Sequence, residues 1–169
     1  MADSRPNDHR AYMERALSLA RRSPPKPTNY CVGAVIVNQS TNTILAEGYT
    51  LELEGNTHAE QCCLMKLAEK YKVPEEQLRD VLPGKLALYT TVEPCSKRLS
   101  GNKPCAERIL QLAGIIDVVY VGVMEPKEFV EENTGRDALE KAGVRFEHVS
   151  GMEEEILRVA RSGHLTSDE

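Results

Sequence analysis

The sequence predicts a three-layer α/β/α domain, a mixed five-stranded sheet with helices on both faces. Three observations carry this. Apolar runs of strand length (VGAVIV at 32–37, LALYTT at 86–91, IIDVVYVGV at 115–123) are separated by segments of helical periodicity, the pattern of βα crossovers. The first such run is joined to TILAEGY (43–49) by the polar turn NQSTN, which reads as an antiparallel hairpin. A chain of 169 residues, 41% of them hydrophobic, can bury one substantial core without cross-links.

The elements follow in order. Residues 1–8 read as a flexible leader to a single domain over 9–169. From His9 to Arg22 the apolar positions Tyr12, Met13, Ala16, Leu17, Leu19 and Ala20 recur at helical spacing. SPPKP at 23–27 stops that helix, because proline lacks the amide and restricts the residue before it. The hairpin comes next, then a helix over 57–71 that is apolar most of the way round and so must be packed on several sides. KVPEEQLRDVLPG (72–84) reads as an irregular or partly helical connector to the third strand, LALYTT. A helix from about Pro104 to Leu112 and the strand IIDVVYVGV follow. A helix ending in ALEKAG then stops at glycine, VRFEHV forms the last strand, and EEEILRVARSG a final helix. Strands separated by helices imply parallel crossovers, against the antiparallel hairpin at the start.

Charge and composition narrow the function. A net charge of −5 disfavours a broad nucleic-acid surface. No apolar run is long enough to span a membrane, and no secretory signal is visible. Five cysteines, an odd number without a regular framework, point to a reducing compartment, hence an intracellular protein, cytoplasmic with the nucleus as the alternative.

Two motifs carry chemistry. THAEQ (57–61) opens the buried helix, and PCSKRLSGNKPC (94–105) follows the third strand, with Cys95 and Cys105 each preceded by proline. Both lie where the chain enters a helix N-terminus, the end of an α/β sheet that faces the ligand crevice. His58, Cys95 and Cys105 can meet there as one nitrogen and two thiolates. Three protein ligands around a tetrahedral zinc leave the fourth position for water, the mark of a catalytic site. Zinc lowers the pKa of such a water towards neutrality, and Glu60 would sit beside it as proton carrier without binding the metal. One histidine, two cysteines and a non-ligating glutamate are the parts of a zinc nucleobase deaminase.

The bland readings stand beside this one. Thr57 and Glu60 also spell a capping box. Cys62 lies one turn after His58 and could reach the same metal, but Cys62, Cys63 and Cys31 read as small core hydrophobes. Lys97, Arg98 and Lys103 could be a solvated loop; as a group beside a metal they suit a phosphate. A noncatalytic zinc-stabilised module, or a thiol redox protein, remains a competing class.

HAE at 58–60 with EPC at 93–95, downstream of VGAVIV, resembles the zinc-dependent cytidine deaminase superfamily. The resemblance covers roughly residues 9 to 148 and implies that superfamily's three-layer fold and a homo-oligomer, with a dimer expected. Most members carry PC-x-x-C. The nine-residue gap here (96–104) resembles the pyrimidine deaminases of riboflavin biosynthesis, and PCSKRLSGNKPC their fungal branch. That branch implies a small phosphorylated pyrimidine substrate, 2,5-diamino-6-ribitylamino-4(3H)-pyrimidinone 5′-phosphate, converted to the corresponding uracil. Deamination of cytosine, cytidine or tRNA adenosine is the alternative within the superfamily. The resemblance implies Zn2+ on His58, Cys95 and Cys105, Glu60 as the catalytic residue, and substrate contacts from Asn29, Ala59, Ser96, Lys97, Arg98, Asn102 and Lys103. Leu51 stands where bacterial members have a histidine, consistent with a different sugar pocket.

Overall fold

A computed structural model of the protein describes residues 8–27, 29–94, 104–124 and 135–163. The elements run α1 (His9–Ala20), β1 (Gly33–Asn38), β2 (Thr43–Tyr49), α2 (Ala59–Tyr71), a 3-10 turn (Glu75–Gln77) leading into the short α3 (Leu78–Val81), β3 (Leu86–Val92), α4 (Cys105–Leu110), β4 (Ile116–Val123), α5 (Gly135–Lys141), β5 (Arg145–His148) and α6 (Glu153–Ala160). The strands form one sheet in the order β2-β1-β3-β4-β5. β1 pairs antiparallel with both β2 and β3, while β3–β4 and β4–β5 are parallel, so the predicted hairpin and crossovers are present.

Period-two alternation sorts the strand side chains into two cores. Ala34 and Ile36, Leu86 and Leu88, Val119 and Val121 face the layer of α2, α4 and α5. Val35 and Val37, Ala87 and Tyr89, Val118 and Tyr120 face α1 and α6. The central strands read as continuous apolar runs because both faces are covered; all seven residues of β3 are buried.

Two glycines set how closely helices dock. A Cβ on Gly33 would collide with the Ala16 carbonyl oxygen of α1. A Cβ on Gly48 would lie 2.5 Å from the Ala59 carbonyl oxygen, 2.9 Å from Cys62 Cβ and 3.1 Å from the Cys63 nitrogen. The absence of a side chain at Gly48 therefore lets the first turn of α2 sit directly on β2, and that turn carries His58 and Glu60.

Candidate active site

The predicted site residues of α2 are placed by its N-terminus. His58 is the N-cap, in extended conformation, and its backbone N–H donates to Gln61 Oε1 at 3.3 Å. This corrects the predicted capping box: the return bond comes from Gln61, one residue later than Glu60. Thr57 instead donates its hydroxyl to the Leu53 carbonyl at 2.9 Å, closing the loop ahead of the helix.

Glu60 points inward and is 5% exposed. Its Oε2 lies 3.2 Å from the hydroxyl of Thr90, itself fully buried on β3 and 2.9 Å from the Val92 carbonyl. A threonine hydroxyl has one proton and two acceptor lone pairs. Thr90 can therefore donate to an ionised Glu60. Once Glu60 carries a proton, Thr90 can accept from it and turn its own hydrogen to Val92. Thr90 is the site residue that sequence reasoning missed. Its signal was the alternation 86, 88, 90 along β3, which puts Thr90 on the α2 face.

Cys105 is the first residue of α4 and is fully buried; its Sγ lies 3.5 Å from His58 Nδ1. Zn–S and Zn–N bonds of about 2.3 and 2.0–2.1 Å at a tetrahedral angle place the two ligand atoms about 3.6 Å apart. The two side chains thus fit a shared zinc. Among the described residues no three metal-binding side chains gather, and the third predicted ligand, Cys95, lies outside them. So do Ser96, Lys97, Arg98, Asn102 and Lys103. The described part of β3 delivers the chain towards this place: Glu93 is buried, and its N–H donates to the Val123 carbonyl at 2.9 Å at the C-terminal end of the parallel β3–β4 pair.

The other predicted residues divide. Asn29 stands beside the start of α2, its Nδ2 donating to Asn56 Oδ1 at 3.2 Å. The Ala59 side chain is fully buried in the core, so what this residue can offer a substrate is its backbone amide in the first helical turn. Cys62 turns its thiol to the Tyr49 carbonyl and Cys63 to the Ala34 carbonyl, both at 3.5 Å, as expected of core cysteines. Burial pushes the Cys63 thiol well above its ordinary pKa, with the nearby Glu60 adding to the effect. Cys31 is buried near the Ser162 hydroxyl, at 3.5 Å.

The family profile described as the cytidine and deoxycytidylate deaminase zinc-binding region matches residues 6–122. The chain belongs to the cytidine and deoxycytidylate deaminase family. Within this family it is similar to a diaminohydroxyphosphoribosylamino-pyrimidine deaminase of Schizosaccharomyces pombe, 37% identical over 160 residues. That match takes in 95% of this chain but 36% of the relative, so the chain spans about a third of the curated relative's length. A crystal structure of Aspergillus oryzae Rib2 deaminase, a C-terminal deletion mutant, superposes with a TM-score of 0.87 at 44% identity, over 95% of this chain and 94% of that one. A second structure of that deaminase, in complex with DARIPP, has a TM-score of 0.84 at 45% identity, over 92% of this chain and 91% of that one. The Thermotoga maritima deaminase/reductase is more distant, with a TM-score of 0.68 at 27% identity, over 92% of this chain and 40% of that one. The Rib2 deaminase structures share the mixed five-stranded, helix-covered architecture described above.

Proposed function

We propose that this protein is a zinc-dependent hydrolase that deaminates 2,5-diamino-6-ribitylamino-4(3H)-pyrimidinone 5′-phosphate to the corresponding uracil in riboflavin biosynthesis. The observation that carries the chemistry is the 3.5 Å approach of His58 Nδ1 to Cys105 Sγ, on the same helix turn that buries Glu60. The likeness to Rib2 deaminase over nearly the whole chain, including its complex with DARIPP, supports the substrate. His58, Cys95 and Cys105 would hold the zinc.

When bound, the metal supplies a Lewis acid that makes water a competent nucleophile near neutral pH. The chain's own residues handle the protons. Glu60 takes one from the attacking water as a C–O bond forms at C2, the ring carbon that loses its amino group, and delivers it to an adjacent ring nitrogen. It then moves the proton of the newly added hydroxyl to the departing amino group, so the C–N bond breaks with ammonia as the leaving group and a ring carbonyl remains. Thr90 can hold the Glu60 carboxyl in place in both protonation states, by the exchange of donor and acceptor roles described above. Lys97, Arg98 and Lys103 supply positive charge for the 5′-phosphate, and Asn29, Ser96, Asn102 and the Ala59 amide the remaining polar contacts.

The reading extends to a cytoplasmic homodimer. The odd cysteine count supports a reducing compartment, and the family resemblance supports the dimer.

Ammonia release by zinc-loaded protein tests the activity, with the ribitylaminopyrimidine phosphate, its ribosyl analogue, cytosine, cytidine and tRNA offered in parallel. Turnover of the first, and its loss in Glu60→Gln with zinc still bound, is expected. Preferred turnover of cytidine or tRNA refutes the substrate. Equal inactivity of wild type and Glu60→Gln, both fully metallated, refutes the deaminase reading on this panel.

A further inference from the structure

We propose that the connector between α2 and β3 is a positioning clamp for Cys105, with the Glu75–Arg108 ion pair as its latch; this rests on the reading of Cys105 as a zinc ligand. α4 has six residues, too few to hold a helix in place by its own hydrogen bonds. Yet it must deliver Cys105 Sγ to within bonding tolerance of a shared metal, a few tenths of an ångström. Its position therefore comes from outside.

The connector holds α4 at two points. Arg108, three residues after Cys105 and so on nearly the same helix face, donates from one Nη to both Glu75 carboxylate oxygens, at 2.8 and 2.7 Å. The two side chains are 13% and 15% exposed, which sets this pair apart from the protein's solvent-facing ion pairs and their weak contribution. Arg79, on α3, donates to the carbonyl of Gln111, the C-cap of α4, at 2.8 Å. Between these polar points, Leu78 and Leu82 of the connector share one apolar cluster with Ile109 and Leu112. Two directional contacts one helical turn apart, with packing between them, oppose both rotation of α4 about its axis and sliding along it. Those are the motions that would carry Cys105 away from His58. Apolar contact alone would bury α4 without fixing its rotation. A mostly buried, hydrogen-bonded charge pair fixes it, at a desolvation cost that packing would not incur.

Zinc affinity, measured on the full chain by competition with a chromogenic chelator, tests the clamp, with the thiolate-to-metal charge-transfer band of the cobalt-substituted protein as a second readout. Wild type, Cys105→Ser, Glu75→Gln, Arg108→Met and Arg108→Lys are compared. Glu75→Gln and Arg108→Met are expected to weaken zinc binding by roughly 10-fold or more and to shift the cobalt band, as loss of an outer-shell partner does. Arg108→Lys keeps the charge and the aliphatic stem but loses the guanidinium geometry, and is expected to fall between. Its inclusion with Glu75→Gln means that misfolding of Arg108→Met does not decide the result. Zinc affinity within twofold of wild type in both Glu75→Gln and Arg108→Lys overturns the clamp. If Cys105→Ser also binds zinc as wild type does, the ligand reading fails; if Cys105→Ser loses zinc while the latch variants keep it, only the clamp fails.

Discussion

Replacing Gly48 by alanine puts a single methyl group between β2 and the first turn of α2. The new Cβ would meet the Ala59 carbonyl oxygen at 2.5 Å, with Cys62 Cβ at 2.9 Å and the Cys63 nitrogen at 3.1 Å behind it. These neighbours are helix backbone and a Cβ held to it, so no flexible side chain can swing aside. Restoring an ordinary contact of about 3.4–3.5 Å requires α2 to retreat from β2 by roughly 0.9 Å. Overpacking of this kind costs about 1–3 kcal/mol, which for a chain of this size lowers Tm by roughly 2–12 °C. The effect on catalysis is expected to be larger. His58 and Glu60 ride on the displaced turn, whereas Thr90 and Cys105 sit on β3 and α4, which the substitution does not touch. A displacement of about 1 Å between reacting groups costs on the order of 100-fold in rate. Steady-state ammonia release should therefore show kcat reduced by one to two orders of magnitude, with a smaller change in KM. Differential scanning calorimetry reads the stability term separately. Gly48→Ala with an unchanged Tm and kcat within twofold of wild type refutes the argument that this close approach positions the site.

Three further outcomes are expected. Thr90→Val keeps the shape of a fully buried side chain but removes the hydroxyl beside Glu60; it should lower kcat by roughly 10- to 100-fold, since a hydrogen bond to a charged group is worth about 1.5–3 kcal/mol. Thr90→Ser should restore most of that, and wild-type kcat in Thr90→Val contradicts the assignment. Removing the metal with a chelator should abolish turnover, and zinc should restore it; activity that persists in protein shown metal-free by atomic emission rules out the metal-dependent reading. Burial holds the His9 imidazole below its ordinary pKa of 6.5, outweighing the opposing pull of Glu147 and Asp8, so below that pH the unfolded chain takes up the proton first. The contribution of His9 to stability is present above pH 6.5 and is lost as the pH falls through the lower folded value. Tm should accordingly drop less steeply on acidification in His9→Gln than in wild type, and parallel curves refute this.

The architecture was legible because its three central strands are buried on both faces. VGAVIV, LALYTT and IIDVVYVGV are too short and too apolar for surface helices, and each became a strand within a residue or two of its predicted ends. His58, Glu60 and Cys105 stand out as candidates because two motifs with chemical meaning occur 34 residues apart, from His-x-Glu at 58–60 to the Pro-Cys pair opening at 94. The helix cap was misplaced by one position, because Thr57 and His58 can both begin a helix and only the contact of Thr57 with Leu53 separates them. Thr90 was legible only as a residue on the α2 face of β3, and the Glu75–Arg108 pair not at all. A threonine in a buried strand reads as β-propensity. An ion pair spanning 33 residues leaves no local periodicity that could announce it.

These misses share a physical origin, and it bears on how the site is built. His58, Glu60 and Cys105 each lie at a helix N-terminus, where a local motif can encode them. What holds those side chains in register is the missing Cβ at Gly48, the hydroxyl at Thr90 and the carboxylate at Glu75, three groups on three different elements. Each acts across the gap between a reactive element and its neighbour: β2 against α2, β3 against α2, and the connector against α4. Chemistry is thus written locally and geometry non-locally. A substitution outside HAE or the Pro-Cys loop that abolishes turnover while leaving the fold intact should therefore fall at one of these gaps rather than at random through the core.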